Sequence, residues 1–195
     1  VKKDLNDVQL SKQKVRELML RQRLDLREDI RRKLSEEVWS RLNSRIEIRS
    51  SAHLGLFFPF QGEVDISPHF QELWSEGKKL HFPRLNSEGA RLEFVSVAAA
   101  GPWIQGKWGI REPSPELPSE DLALLDVLIL PGVAFDLRGN RLGFGKGFYD
   151  RLLKDYRGRT LALAYDFQVN EEIPTESHDR KIDVLVTESR VLVFD

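Results

Sequence analysis

The chain of 195 residues contains no cysteine, which excludes disulfides and thiolate metal sites and fits a cytoplasmic protein. No apolar run is long enough to cross a bilayer, and no apolar opening segment resembles a secretion signal. Internal repeats, low-complexity tracts and recognisable DNA- or RNA-binding motifs are absent as well. Net charge is nearly absent, at −1, yet it is unevenly spread. Residues 1–49 hold 14 Lys and Arg against 9 Asp and Glu, a local +5 that the remainder offsets with −6. The acidic residues are interleaved with the basic ones, so this segment reads as solvated helix surface, including Arg31, Arg32 and Lys33, and not as a nucleic-acid footprint. A chain that opens on Val1 is expected to have been processed or shortened at that end. Length and an ordinary 41% hydrophobic content suit one domain with one substantial core, two small lobes being the alternative.

What is present centres on Leu124–Leu153. A continuous apolar run, Val127 to Leu130, reads as a strand buried on both faces, and Pro131-Gly132 stops it. Gly139, Gly143, Gly145 and Gly147 then follow closely, with Arg141 and Lys146 among them. Asp150 and Arg151 open a helix that contains Leu152 and Leu153. Glycines let backbone N–H groups approach an anion, and a helix N-terminus adds partial positive charge. The pattern is neither G-x-x-x-x-G-K-[ST] nor G-x-G-x-x-G. It fits a phosphate site, and a glycine-rich surface hairpin answers the same spacing.

The stretch PGVAFDLRGNRLGFGKGFYDRLL resembles the motif P-G-x-x-F-D-x-x-G-x-R-L-G-x-G-K-G-Y-Y-D of the 5-formyltetrahydrofolate cyclo-ligase (methenyltetrahydrofolate synthetase) family. Every fixed position is met except the first tyrosine, replaced by Phe148. The resemblance implies a single compact α/β domain with ATP bound near the glycine-rich loop. It also implies ATP- and Mg²⁺-dependent cyclisation of 5-formyltetrahydrofolate to 5,10-methenyltetrahydrofolate, with release of ADP and phosphate. A catalytically inactive folate- or nucleotide-binding relative is the alternative. Carried over position by position, it implies catalytic roles for Lys146 and Arg141. ATP contacts fall to Arg141, Leu142, Gly143, Phe144, Gly145, Lys146, Gly147, Phe148 and Tyr149. Phe144, Lys146 and Phe148 also touch the reduced folate, and Asp150 binds Mg²⁺. The implied partners are small molecules, with neither nucleic acid nor membrane; oligomeric state is left open, a monomer being favoured.

The remaining residues extend this reading in chain order. Asp7–Arg23 reads as a helix with Val8, Val15, Leu18 and Met19 at helical spacing. Lys12 and Arg16 lie four apart on one face, where like charges mildly repel; spacing alone allows two solvated cations, and the resemblance implies contacts to ATP phosphates. A second helix, about Arg27–Leu42, carries the stripe Leu26, Ile30, Leu34, Val38 and Leu42, read as core packing. The helical segment 1–49 is expected to pack on an α/β core. Ala52–Phe58 reads as a buried strand whose following loop holds Glu63 and Asp65, where open sheets bind ligands. The resemblance makes Phe58 and Glu63 folate contacts, and a carboxylate suits the N–H groups of a pterin. Ser67-Pro68 reads as the N-cap and first position of a helix that stops at Gly77. Strands are expected at Leu80–Pro83, Leu92–Val97, Thr160–Tyr165 and Val184–Val186. Four prolines mark Gly101–Ser119 as loop; within it the resemblance makes Trp108 an aromatic wall of the substrate pocket. His178-Asp179 reads as incidental by itself, while the resemblance makes Asp179 the second Mg²⁺ ligand and leaves His178 a supporting position. Strands separated by helices predict α/β with a mixed, largely parallel sheet flanked by helices.

Overall fold

The structure, a computed structural model, describes residues 2–176 and 179–194, with side chains from residue 8 onward. Three helices come first: α1 (Lys2–Asp25), α2 (Glu28–Asn43) and the short α3 (Ile46–Arg49). Strand β1 (His53–Gly55) leads through α4 (Phe70–Ser75) to β2 (Lys79–Leu85) and β3 (Leu92–Ser96). A ribbon of β4 (Trp103–Gln105) and β5 (Arg111–Pro113) precedes β6 (Val127–Leu130). The hairpin β7 (Ala134–Asp136) and β8 (Arg141–Leu142) feeds α5 (Phe148–Asp155). Strands β9 (Arg159–Leu163), β10 (Val169–Asn170), β11 (Val184–Val186) and β12 (Val191–Val193) complete the chain.

Among the described residues the main sheet has seven strands in the order β12-β11-β9-β6-β1-β2-β3. Its centre is parallel, and only the edge strands β3 and β12 run antiparallel to their neighbours. The fold is therefore a mixed α/β domain with a largely parallel sheet, as the alternation of strands and helices predicts. The reason the run Val127–Leu130 is continuously apolar is now visible. Val127 and Ile129 join the cluster under α2, α3 and α4, with Val38, Leu42, Ile48 and Phe70. Leu128 and Leu130 join the opposite cluster with Leu152 and Leu153 of α5. Successive side chains point to opposite faces, and here both faces are covered. Among the described residues no helix is long and apolar enough to cross a membrane.

Several local expectations change. The ladder of β1 stops at Gly55, earlier than Ala52–Phe58 suggests, because the chain turns out of the sheet towards Gln61 and Gly62, both at positive φ. Ser67 is not an N-cap: it begins a 3-10 turn, and the carboxylate of Asp65 accepts its N–H at 2.9 Å. The segment Gly101–Ser119 is not all loop, since β4 and β5 pair Trp103 with Pro113. Proline is tolerated there because a two-stranded ribbon leaves one side without ladder bonds. On α2 the stripe is core only in part, Ile30 being 39% exposed, and Arg31 is half-buried beside Gly62, unlike Arg32 and Lys33.

The long motif divides into two parts with different work. Asp136 is fully buried and accepts hydrogen bonds from the N–H groups of Arg138, Asn140 and Ile173 and from the Asn140 amide. It closes the β7–β8 turn through Gly139, whose φ is +82°. This half of the motif is scaffold, so the hairpin reading of the glycines holds for Gly139. Asp136→Ala strands several buried N–H groups and is expected to destabilise the fold by about 3 kcal/mol. Urea denaturation measures it, and a loss below about 1 kcal/mol would contradict the scaffold role.

Candidate active site

The site lies beyond the carboxyl ends of β1 and β6, neighbours in the sheet whose chains depart to opposite sides, where open α/β sheets place ligands. Arg23, on the last turns of α1, fixes the two departing loops. Its Nε donates to the Gln61 carbonyl at 2.8 Å and its Nη1 to the Gly132 carbonyl at 3.0 Å. Its guanidinium also lies 5.5 Å from the centre of the Phe144 ring. Arg23 thereby holds the left-handed turn at Gln61 (φ 47°), a conformation uncommon for a residue with a side chain.

Between the loops is a cleft of about 340 Å³ with mainly apolar walls. Phe58, Glu63, Trp108, Phe144, Lys146, Phe148, Tyr149, Arg141 and Asp150, all nominated from sequence, line it together. Trp108 stands at the rim, its backbone left-handed (φ 63°) and its ring 6.2 Å from Phe148. Phe58 packs on Phe82 and edge-on to Trp103.

Glu63 is the polar feature of this cleft. One carboxylate oxygen accepts the Phe60 N–H at 3.0 Å; the other, Oε1, is buried without a hydrogen-bond partner, 3.9 Å from Arg23 Nη1. Burial raises its pKa from 4.5 to about 7, against the opposing pull of Arg23, the Phe60 N–H and Arg141. Arg141 Nε is likewise buried without a partner, while Nη2 meets Asp150 at 2.6 Å and Nη1 the Pro131 carbonyl at 3.3 Å. Burial, and then the nearby Glu63, push the Tyr149 hydroxyl up, so it stays a neutral donor.

The segment Gly143–Gly147 is the second wall. Arg16 donates to the Gly143 carbonyl at 2.8 Å, and a Cβ at Gly145 (φ +89°) would stand 3.3 Å from the Arg16 guanidinium. Phe144 and Gly145 also line a second, more open depression with Gln9, Gln13 and Arg16. Lys12, buried in α1, contacts Glu176 at 2.7 Å and Asp179 at 2.8 Å. Burial disfavours its ammonium, but these hydrogen bonds outweigh that and hold its pKa above the ordinary value. Burial lowers Arg16 against the attraction of Asp150, Asp179 and Glu176. Lys146 is exposed; its carbonyl accepts from Arg151, and its side chain, among the described residues, makes no hydrogen bond or ion pair. Leu142 lines neither cavity; its side chain is in the core with Met19 and Val133. His178 lies outside the described residues.

A metal fits this donor set only in company. Among the described residues no group of three or more His, Asp or Glu could hold an ion. Asp150 and Asp179 are each neutralised by a cation, Arg141 and Lys12. Two hard carboxylates beside cations that an anion would attract suit a cation arriving with phosphate oxygens.

Sequence reading missed Arg23 and Glu176. Arg23 does carry a signal: it is seven residues after Arg16 and eleven after Lys12, so all three share one helical face. Glu176 carries none.

Fold and site together define an α/β protein whose aromatic cleft adjoins a glycine-rich loop braced by cations. The model of the 5-formyltetrahydrofolate cyclo-ligase family matches residues 8–188. The chain belongs to this family. A 5-formyltetrahydrofolate cyclo-ligase of Haemophilus influenzae is 35% identical over 147 residues, 72% of this chain and 79% of the relative. That of Escherichia coli K12 is 32% identical over 179 residues, 89% and 98% of the two chains. The solved structure of Aquifex aeolicus 5,10-methenyltetrahydrofolate synthetase superposes with a TM-score of 0.84 at 42% identity, covering 93% of this chain and 92% of that one.

The Glu63 carboxyl gives a pH test. Its folded-state pKa lies above the ordinary one, so between about 4.5 and 7 the folded chain holds a proton that the unfolded chain has lost. The contribution of this group to stability is therefore fully present below the window and is lost as pH rises through it. Glu63→Gln is expected to flatten that slope in denaturation midpoints measured across the window; parallel curves for the two proteins would contradict the assignment.

Proposed function

We propose that the chain closes 5-formyltetrahydrofolate to 5,10-methenyltetrahydrofolate with ATP, releasing ADP and phosphate. The observation that carries this reading is the buried, unpartnered oxygen of Glu63 in an aromatic-walled cleft that shares Phe144 and Gly145 with a depression lined by Arg16. A flat pterin stacks between rings and offers N–H donors to that oxygen. A triphosphate suits Lys12, Arg16, Lys146 and the loop amides. The names of the relatives agree with it.

The chemical obstacle is the formyl oxygen, which leaves poorly from an amide-like carbon. In the proposed route it attacks the γ-phosphorus of ATP, the P–O bond to ADP breaks, and the carbon becomes an activated phosphorylated imidate. The neighbouring folate nitrogen forms a bond to that carbon, the C–O bond breaks, and phosphate leaves with its electron pair; the nitrogen's proton is lost. Such chemistry asks the protein chiefly to position two substrates and offset phosphate charge. Phe58, Trp108 and Phe148 hold the folate ring, and Glu63 fixes its orientation. Lys146, uncommitted at the cleft, and Arg141 approach the transferring group. Lys12 and Arg16 exchange part of their carboxylate and carbonyl contacts for phosphate oxygens. Asp150 and Asp179 would hold Mg²⁺, whose contribution when bound is charge neutralisation on the phosphates. The ring of Phe148 preserves stacking where the family motif has tyrosine, and no hydroxyl is required of it.

Near-UV absorbance follows the conjugated product, since the substrate barely absorbs there. With both substrates and Mg²⁺ the absorbance is expected to rise. Lys146→Ala should slow the rise by about a hundredfold or more in a protein with unchanged thermal unfolding. A folded chain that binds ATP and gives a flat trace would instead establish a binding relative without turnover.

A further inference from the structure

We infer that Arg111 is a carboxylate clamp at the rim of the aromatic cleft, placed to bind the glutamate tail of the reduced folate. The inference rests on the cyclo-ligase reading for the identity of the substrate. Its structural basis is Arg111 and the two rings that hold it, of which only Phe58 is shared with that reading.

Arg111 opens β5, lines the cleft, and is held by rings and not by acids. Its guanidinium carbon lies 4.6 Å from the centre of the Trp103 ring and 5.3 Å from that of Phe58, in the corner made by two perpendicular rings. Stacking fixes the plane of a guanidinium and leaves its N–H edge available. Among the described residues Arg111 has no side-chain hydrogen bond and no ion pair, although its side chain is exposed at the rim and carboxylates are close by in sequence. The neighbouring cation on the cleft wall behaves differently: Arg84 is committed to the Ser114 carbonyl at 2.7 Å and to Glu93 at 3.4 Å. Glu112, the adjacent acid, is engaged with the Leu85 N–H at 3.4 Å and packs against Gly106. An oriented, uncommitted guanidinium is therefore presented at the mouth of an apolar cleft. Lys107, over the Trp108 ring at 5.0 Å, adds a second cation on the same ribbon.

A reduced folate has a matching polarity. Its pterin end is flat and rich in N–H groups, suited to the buried Glu63, and its far end carries two carboxylates joined through an aminobenzoyl ring. With the pterin at Glu63, the apolar walls receive the linking ring and the anionic end comes to the rim. A planar guanidinium accepts a carboxylate through two parallel hydrogen bonds, a geometry lysine cannot reproduce.

The test compares two substrates: 5-formyltetrahydrofolate, and the same formylated reduced pterin-aminobenzoate without the glutamate. For wild-type chain, Arg111→Gln and Arg111→Lys, kcat/KM is measured for each, with thermal unfolding as the check on folding. The expected result is a wild-type preference for the glutamate-bearing substrate that falls about tenfold in Arg111→Gln. The change should lie mainly in KM, with Arg111→Lys intermediate. An Arg111 that merely pins the β4–β5 ribbon would lower both substrates equally and leave the ratio unmoved, which overturns the proposal, as does a wild-type chain with no preference. A wild-type chain that turns over neither substrate overturns the cyclo-ligase reading, and this proposal with it.

Discussion

The Arg23 guanidinium sits in the protein interior at 1% exposure, and burying a cation is tolerable only where its N–H groups and its charge are both answered. Here the carbonyl oxygens of Gln61 and Gly132 answer the N–H groups, and Glu63, 3.9 Å from Nη1, answers the charge once its raised pKa lets it ionise. This arrangement requires three segments far apart in sequence to converge: helix α1, the turn after β1 and the turn after β6. Gly132 is compact at that point because a Cβ would meet the Phe135 ring at 2.3 Å. The same carbonyl also accepts from Gln168, tying in the chain beyond β9. Remove the arginine and Glu63 loses its counter-charge while two loops lose their common tether.

The electrostatic design follows from this. Helix α1 turns to the protein a face that is largely cationic: Lys12, Arg16 and Arg23, with Met19 and Val15 between them. Each cation is met by a different kind of partner, carboxylates for Lys12, a loop carbonyl for Arg16 and buried carbonyls for Arg23. The innermost of the three is structural. The outer two lie on contacts that an anionic ligand could share.

Much of the architecture was legible in the sequence because it rests on local chemistry. The apolar run Val127–Leu130, the stripe ending in Val38 and Leu42, and the glycine-rich motif each state their environment directly. What escaped detection depends on distant partners. The β4–β5 ribbon hides among prolines and glycines because it is only three pairs long and its Trp103 ring packs on Phe58 and Phe82 from elsewhere in the chain. Arg23 hides among other arginines, since hydrophobic periodicity passes over a buried cation. Ser67 looks like a cap until it is seen inside the turn, its own N–H donated to the carboxylate of Asp65 two residues earlier. The motif itself reads as one unit, yet the structure separates Asp136 and Gly139, which close a hairpin, and Leu142, which enters the core, from Arg141 and Gly143 to Asp150, which line the cleft.

Phe144 and Gly145 border both the aromatic cleft and the depression under Arg16, so the two hollows adjoin at this segment. Molecules seated in the two hollows could meet only where neither backbone nor side chain stands between them. A side chain at Gly145 would strain a backbone held at φ +89° and stand 3.3 Å from the Arg16 guanidinium, crowding the junction of the two hollows.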